Sequence, residues 1–153
     1  MRWAAILCAV VAVSGGQASA QDMSVDPAIT EGCLAVNGAA PEACIGVAAS
    51  VCMGALGGSS TLGMGACLGS EAELWDRRLN AAYGALRAGH DAASADALRA
   101  SQRAWITFRD LSCAYERTTW GGGTGGGPAA AQCLMQMTAR QALALEARLG
   151  AAR

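Results

Sequence analysis

Apolar residues recur at helical spacing in three blocks of the second half of the chain. In the first, Trp75, Leu79, Ala82, Tyr83 and Leu86 fall on one face after a Ser70/Glu73 capping-box pattern, and the block ends near Gly89. The second starts at Ser94 or Asp96 and gathers Leu98, Trp105, Phe108, Ser112 and Tyr115 on a face before the chain breaks at Trp120 and a run of glycines. Pro128 suits an early position of a third helix, in which Leu134, Met137, Leu145 and Leu149 lie within roughly a third of the circumference. Helices with one apolar face each must bury those faces against one another. Upstream the signals are weaker: Asp26-Pro27 and Pro41 predict the starts of two short helices, and Gly54 to Gly65 reads as a loop or frayed turn. β-branched alternation is sparse, so the expected fold is all-α: a small bundle of three long amphipathic helices preceded by short N-terminal ones.

The chain begins with a different pattern. Arg2 precedes an apolar stretch from Ala4 to Val13, and Ala18-Ser19-Ala20 is a small-x-small site, which predicts a signal peptide over residues 1–20 cleaved after Ala20. The stretch is too short to span a bilayer, and Leu7 before Cys8 is not the small residue a lipoprotein signal requires, so no membrane anchor is expected. The remainder divides into an N-terminal helical extension, 21–50, and a helical domain, 51–150. Without the leader, ten arginines face twelve acids, and no lysine occurs anywhere. A weakly acidic chain without a basic tract excludes nucleic acid as a partner class. Asp22, Asp26, Glu31 and Glu42 form an acidic segment with no base before Ala66.

Beyond the leader stand Cys33, Cys44, Cys52, Cys67, Cys113 and Cys133, an even set that in an oxidising compartment predicts three disulfides. If Pro41 to Leu56 is one helix, Cys44 and Cys52 lie ~12 Å apart along it, beyond the ~7 Å limit for a bridge. Sequential pairing survives that test: Cys33 with Cys44 over Asn37-Gly38, Cys52 with Cys67 over the Gly-rich loop, and Cys113 with Cys133 between two long helices. Each closure would stabilise by about 3 kcal/mol. Cys-x-x-Cys and Cys/His spacings are lacking, so neither a metal nor a cofactor is expected.

Polar residues interrupt the apolar faces. Gln102, Trp105, Arg109 and Cys113 follow at helical spacing, and Asp76, Asn80 and Tyr83 form a similar stripe on the preceding helix. A charge on a core-facing stripe needs a partner. Arg109 is therefore expected to pair with Asp76, bridged by Asn80 or Gln102, in a structural polar network between the two helices. Trp120 precedes Gly121, Gly122, Gly123, Thr124 and three further glycines, which together are the candidate partner-binding segment. Two readings of Trp120 stay open, as an interface anchor and as a lid over the Cys113–Cys133 bridge. The glycine run lacks a Gly-Lys-Ser/Thr ending and follows a helix, which excludes a phosphate loop. Catalysis has no basis: Glu71, Glu73, Asp76, Asp110 and Glu116 read mostly as solvated, and His90 has no nucleophile elbow nearby.

The ordered segments ACLGSEAELWDRRLNAAYGALR, LRASQRAWITFRDLSCAYE and CLMQMTARQALALEARL resemble the LprI-like lysozyme-inhibitor domain family of bacterial envelope proteins, over roughly Val51 to Leu149. The spacing from Cys52 through Thr61 and Met64 to Cys67 is similar to the family's Cys-loop-Cys beginning, which supports sequential pairing. Cys33 and Cys44 lie outside the resemblance, and Gly121 to Gly127, interrupted only by Thr124, departs from the family's usual gap. The resemblance implies a non-catalytic periplasmic or secreted protein that blocks a lysozyme-type glycoside hydrolase; the alternative is a structural or adaptor module binding another envelope protein.

Overall fold

The computed structural model describes residues 23–151. The proposed leader and its cleavage site lie outside them. Five α-helices follow in order: α1 (Pro27–Val36), α2 (Val47–Met53), α3 (Thr61–Gly89), α4 (Ala92–Thr118) and α5 (Gly126–Ala151), with a 3₁₀ turn at Pro41–Cys44 before α2. The architecture is all-α, and no helix among the described residues is long and apolar enough to cross a membrane.

Local chemistry sets most boundaries. The Asp26 carboxylate accepts from the Ala28 N–H and Pro27 opens α1. Asp91 caps α4 by accepting from the Ser94 N–H at 2.7 Å, so α4 starts at Ala92, a few residues before the expected Ser94 or Asp96. That backbone bond holds the Asp91 carboxyl below the ordinary carboxylate range. The larger correction concerns α3. Its cap is Ser60, whose hydroxyl accepts from the Gly63 N–H, so the last part of the expected Gly54–Gly65 loop is the first turn of a 29-residue helix. Gly63 is buried against the backbone of Gly57 and Gly58, and a Cβ there would collide with both. The glycines that weaken helix propensity are thus what let the preceding loop lie on the helix. Ser70, expected to cap, sits inside α3, where its hydroxyl accepts from the Val25 N–H at 3.0 Å.

Nor is Pro41 to Leu56 one helix. The chain turns at Gly46, φ +89°, between the 3₁₀ segment and α2. The six cysteines among the described residues pair sequentially, as Cys33–Cys44, Cys52–Cys67 and Cys113–Cys133, with Cα separations of 5.6, 5.7 and 5.4 Å.

The core lies mainly between α3 and α5, the most extensively packed pair. Trp75 is fully buried, and Leu74, Leu79, Ala82 and Leu86 continue its face. The opposing α5 face is Met135, Ala139, Ala142 and Leu145, all buried, whereas Leu134, Met137 and Leu149 are only partly so. Alanines at the crossing let two long helices approach closely. Val25, Ala48 and Ala49 enter the same core, so the segment before Cys52 packs on the bundle. Arg78 on α3 links α1 to α5, making ion pairs with Glu31 of α1 and, at 3.0 Å, with Glu146 of α5.

One buried group organises the N-terminal half. Glu71 has no solvent exposure, and its carboxylate accepts from the N–H groups of Gly46 (2.7 Å) and Ala49 (2.6 Å) and from the Trp75 indole N–H (2.9 Å). It therefore supplies, from α3, the cap that α2 lacks locally. Glu71 is thus a buried carboxylate, in contrast to the solvated position expected for it together with Glu73, Asp76, Asp110 and Glu116.

Candidate functional site

α4 packs on α5 and barely touches α3. Among its 27 residues only Leu98, Gln102 and Cys113 are buried. Phe108 and Tyr115, expected in the core, are 63 % and 66 % exposed, and Leu111 between them is 68 % exposed. Their spacing of three and four places them on one outward face of the helix. Such an amphipathic helix normally hides its apolar side; here a second apolar stripe remains in solvent, where contiguous apolar surface marks recognition sites.

The same end of α4 borders a groove of ≈ 560 Å³ against α5. Phe108, Ser112, Glu116 and Trp120 line one wall, and Gln132, Gln136 and Arg140 line the other. The partly buried Cys133 also lines it, so the Cys113–Cys133 bridge holds the two walls together at this point. Met137 lies within 3.8 Å of both sulfurs.

Trp120 follows the last turn of α4, with its N–H bonded back to the Arg117 carbonyl. Gly121 and Gly122 then adopt φ +55° and +87°, which reverses the chain. Gly123 donates to the Trp120 carbonyl at 2.8 Å and Gly126 to the Gly123 carbonyl at 3.1 Å. The glycine run is thus a series of hydrogen-bonded turns. The Trp120 ring lies directly on Gly125, where any Cβ would overlap it, and remains 53 % exposed. The tryptophan therefore stands at the groove on a glycine seat. Thr124 faces another depression, shared with Leu62 and Pro128. Gly121, Gly122, Gly123 and Thr124 are all exposed.

A direct consequence is testable. Gly125→Ala is expected to displace the Trp120 ring while changing the stability by less than about 1 kcal/mol, because the clash is with one exposed side chain. Trp120 indole chemical shifts in an NMR spectrum check this; an unmoved indole signal would show that the ring is not seated on Gly125.

The expected polar network does not assemble. Arg109 pairs with its neighbour Asp110 at 2.8 Å, stacks over the Trp105 ring at 5.1 Å and reaches Thr138 of α5 at 3.4 Å. Asp76 accepts from the Asn80 amide at 2.8 Å within α3. The reason is helix placement: α4 leans on α5, so Arg109 faces that helix and not α3. Gln102 is buried and finds no hydrogen-bond partner among the described residues. The acidic N-terminal segment is also partly committed, with Asp26 in a cap and Glu31 on Arg78.

No group of three His, Cys, Asp or Glu side chains among the described residues is arranged to hold a metal. Exposed aromatic and aliphatic side chains thus stand beside a groove of mixed polarity, with Trp120 at its edge.

No curated protein and no solved structure matches the chain. The sequence profile of the family described as Lysozyme inhibitor LprI matches residues 52–145, which span α3, α4 and most of α5 together with the Cys52–Cys67 and Cys113–Cys133 bridges. With more than half of its length inside that match, the chain belongs to the LprI lysozyme inhibitor family.

Proposed function

We propose that the protein is exported, with its leader removed near Ala20, and that it binds a lysozyme-type cell-wall lytic enzyme in the periplasm or outside the cell and blocks its cleft sterically. The observation that carries this reading is the exposed stripe Phe108, Leu111 and Tyr115 on α4, running to Trp120 just beyond it, within the part matched by the family. An aromatic anchor on disulfide-fixed helices loses little freedom on binding, which favours affinity. Three bridges also suit an oxidising compartment. Lysozymes are typically cationic, so the chain's small negative charge assists encounter without dominating it.

Titration of the oxidised protein, lacking residues 1–20, into a panel of lysozymes lysing a cell-wall suspension tests the proposal. Stoichiometric inhibition by the oxidised form and at least about tenfold weaker inhibition by Trp120→Ala are expected, given the ~2 kcal/mol typical of an interface anchor. Absence of inhibition across the panel at micromolar protein would overturn the inhibitor reading and leave the envelope adaptor as the better account.

A further inference from the structure

The geometry points to a second site, independent of the inhibitor surface: the cleft between α3 and α4 binds the C-terminal residue of a peptide, through its free carboxylate and its amide N–H. The cleft exists because α4 leans on α5 and diverges from α3. Its volume is ≈ 240 Å³, below the about 300–1,000 Å³ of pockets for larger ligands.

Gln102 is the observation that singles it out. Its side chain lines the cleft, the residue is 6 % exposed, and neither its Oε1 nor its Nε2 has a hydrogen-bond partner among the described residues. A buried amide without partners is costly, whereas a ligand presenting an acceptor beside a donor would satisfy both ends. Asn80 lines the same space, with its Nδ2 committed to Asp76 and its carbonyl left as an acceptor. Leu79 and Ile106 supply an apolar wall.

Charge fixes the ligand class. No acidic residue lines the cleft, and Arg103 at its edge makes no ion pair among the described residues, while the neighbouring Arg99 is held by Asp96 at 3.1 Å. A guanidinium over a cleft with amide acceptors matches a carboxylate that carries an N–H nearby. Sulfate offers no donor to the Gln102 and Asn80 carbonyls, phosphate offers no apolar group to Leu79 and Ile106, and a neutral sugar offers no charge to Arg103. A terminal peptide residue with a small apolar side chain offers all three elements.

The test uses the oxidised protein, with N-acetyl-alanyl-alanine, its C-terminal amide and acetate as probes, followed by the side-chain amide signals of Gln102 and Asn80 in NMR. Saturable shifts with the free acid are expected, with affinity at least about tenfold weaker for the amide, for acetate and for Arg103→Gln. Gln102→Leu should abolish the response with its melting temperature unchanged or raised, because an unpaired buried amide has been removed. No saturable shift, equal affinity for the amide or acetate, or binding retained in Gln102→Leu would overturn the site. A lowered melting temperature in Gln102→Leu would likewise overturn it by marking the amide as structural.

Discussion

Glu71→Ala is expected to destabilise the fold by about 3–5 kcal/mol, since it leaves the buried Ala49 and Trp75 N–H donors and the part-buried Gly46 N–H without an acceptor, each costing about 1–3 kcal/mol less whatever relaxation recovers. The donors are the Gly46 and Ala49 backbone groups and the Trp75 indole, at 2.6 to 2.9 Å from the carboxylate. Against a total of about 5–15 kcal/mol for a domain of this kind, that loss is severe. Damage should be asymmetric, because α2 loses its cap while the α3–α5 core keeps its apolar contacts. Chemical denaturation measures the total, and hydrogen exchange at Ala49 and its neighbours reports the local part. Glu71→Gln separates charge from geometry: one oxygen still accepts, but the new amide N–H would oppose a backbone N–H, so an intermediate loss is expected. A loss below about 1 kcal/mol in Glu71→Ala would show that the carboxylate is not the cap of α2.

Opening the third disulfide should have the larger effect on function. Cys113→Ser with Cys133→Ser removes a cross-link over 20 residues, worth about 3 kcal/mol. Because α4 buries only Leu98, Gln102 and Cys113, little else holds its C-terminal half to α5. The expected outcome is local release of residues near Phe108 to Trp120, seen as fast amide exchange there with protection retained in α3 and α5. Both walls of the groove and the seat of Trp120 depend on that attachment, so lysozyme inhibition should fall by about tenfold or more as α4 becomes mobile. Uniform protection across α4 in the double variant would refute the anchoring role. The Cys52–Cys67 bridge is a useful comparison, since it closes the loop before α3 and does not line the groove.

Those effects involve residues whose roles were unequally legible in the sequence. The Trp75 stripe of α3 was readable because one helix face meets one core, and periodicity reports that directly. The α4 stripe was misleading for the same reason. Its apolar residues recur at helical spacing whether the face they form is buried or left for a partner, so Phe108 and Tyr115 carried no sign of their exposure. On α5 the close contact uses Ala139 and Ala142, which a search for large apolar residues passes over. Arg109 did need a partner, but spacing along one helix cannot tell which neighbour that helix leans on, and the adjacent Asp110 with Thr138 took the place expected for Asp76. Glu71 could have been suspected only from its position four residues before Trp75, a spacing that allows their hydrogen bond but does not require it.

By itself the sequence determined the helical class, the three long helices, the sequential pairing of the cysteines from Cys33 to Cys133 and the family to which the chain belongs. These depend on local periodicity, turn chemistry and an ordered motif, all written along the chain. Only the tertiary structure decided that Glu71 is buried as the cap of α2, that Gln102 is buried in a cleft without a partner, and that α4 turns an apolar face to solvent beside Trp120. Each of these follows from how whole helices settle on one another. That placement is set by the summed packing of α3 on α5 and by the Cys113–Cys133 tether, which no single segment encodes.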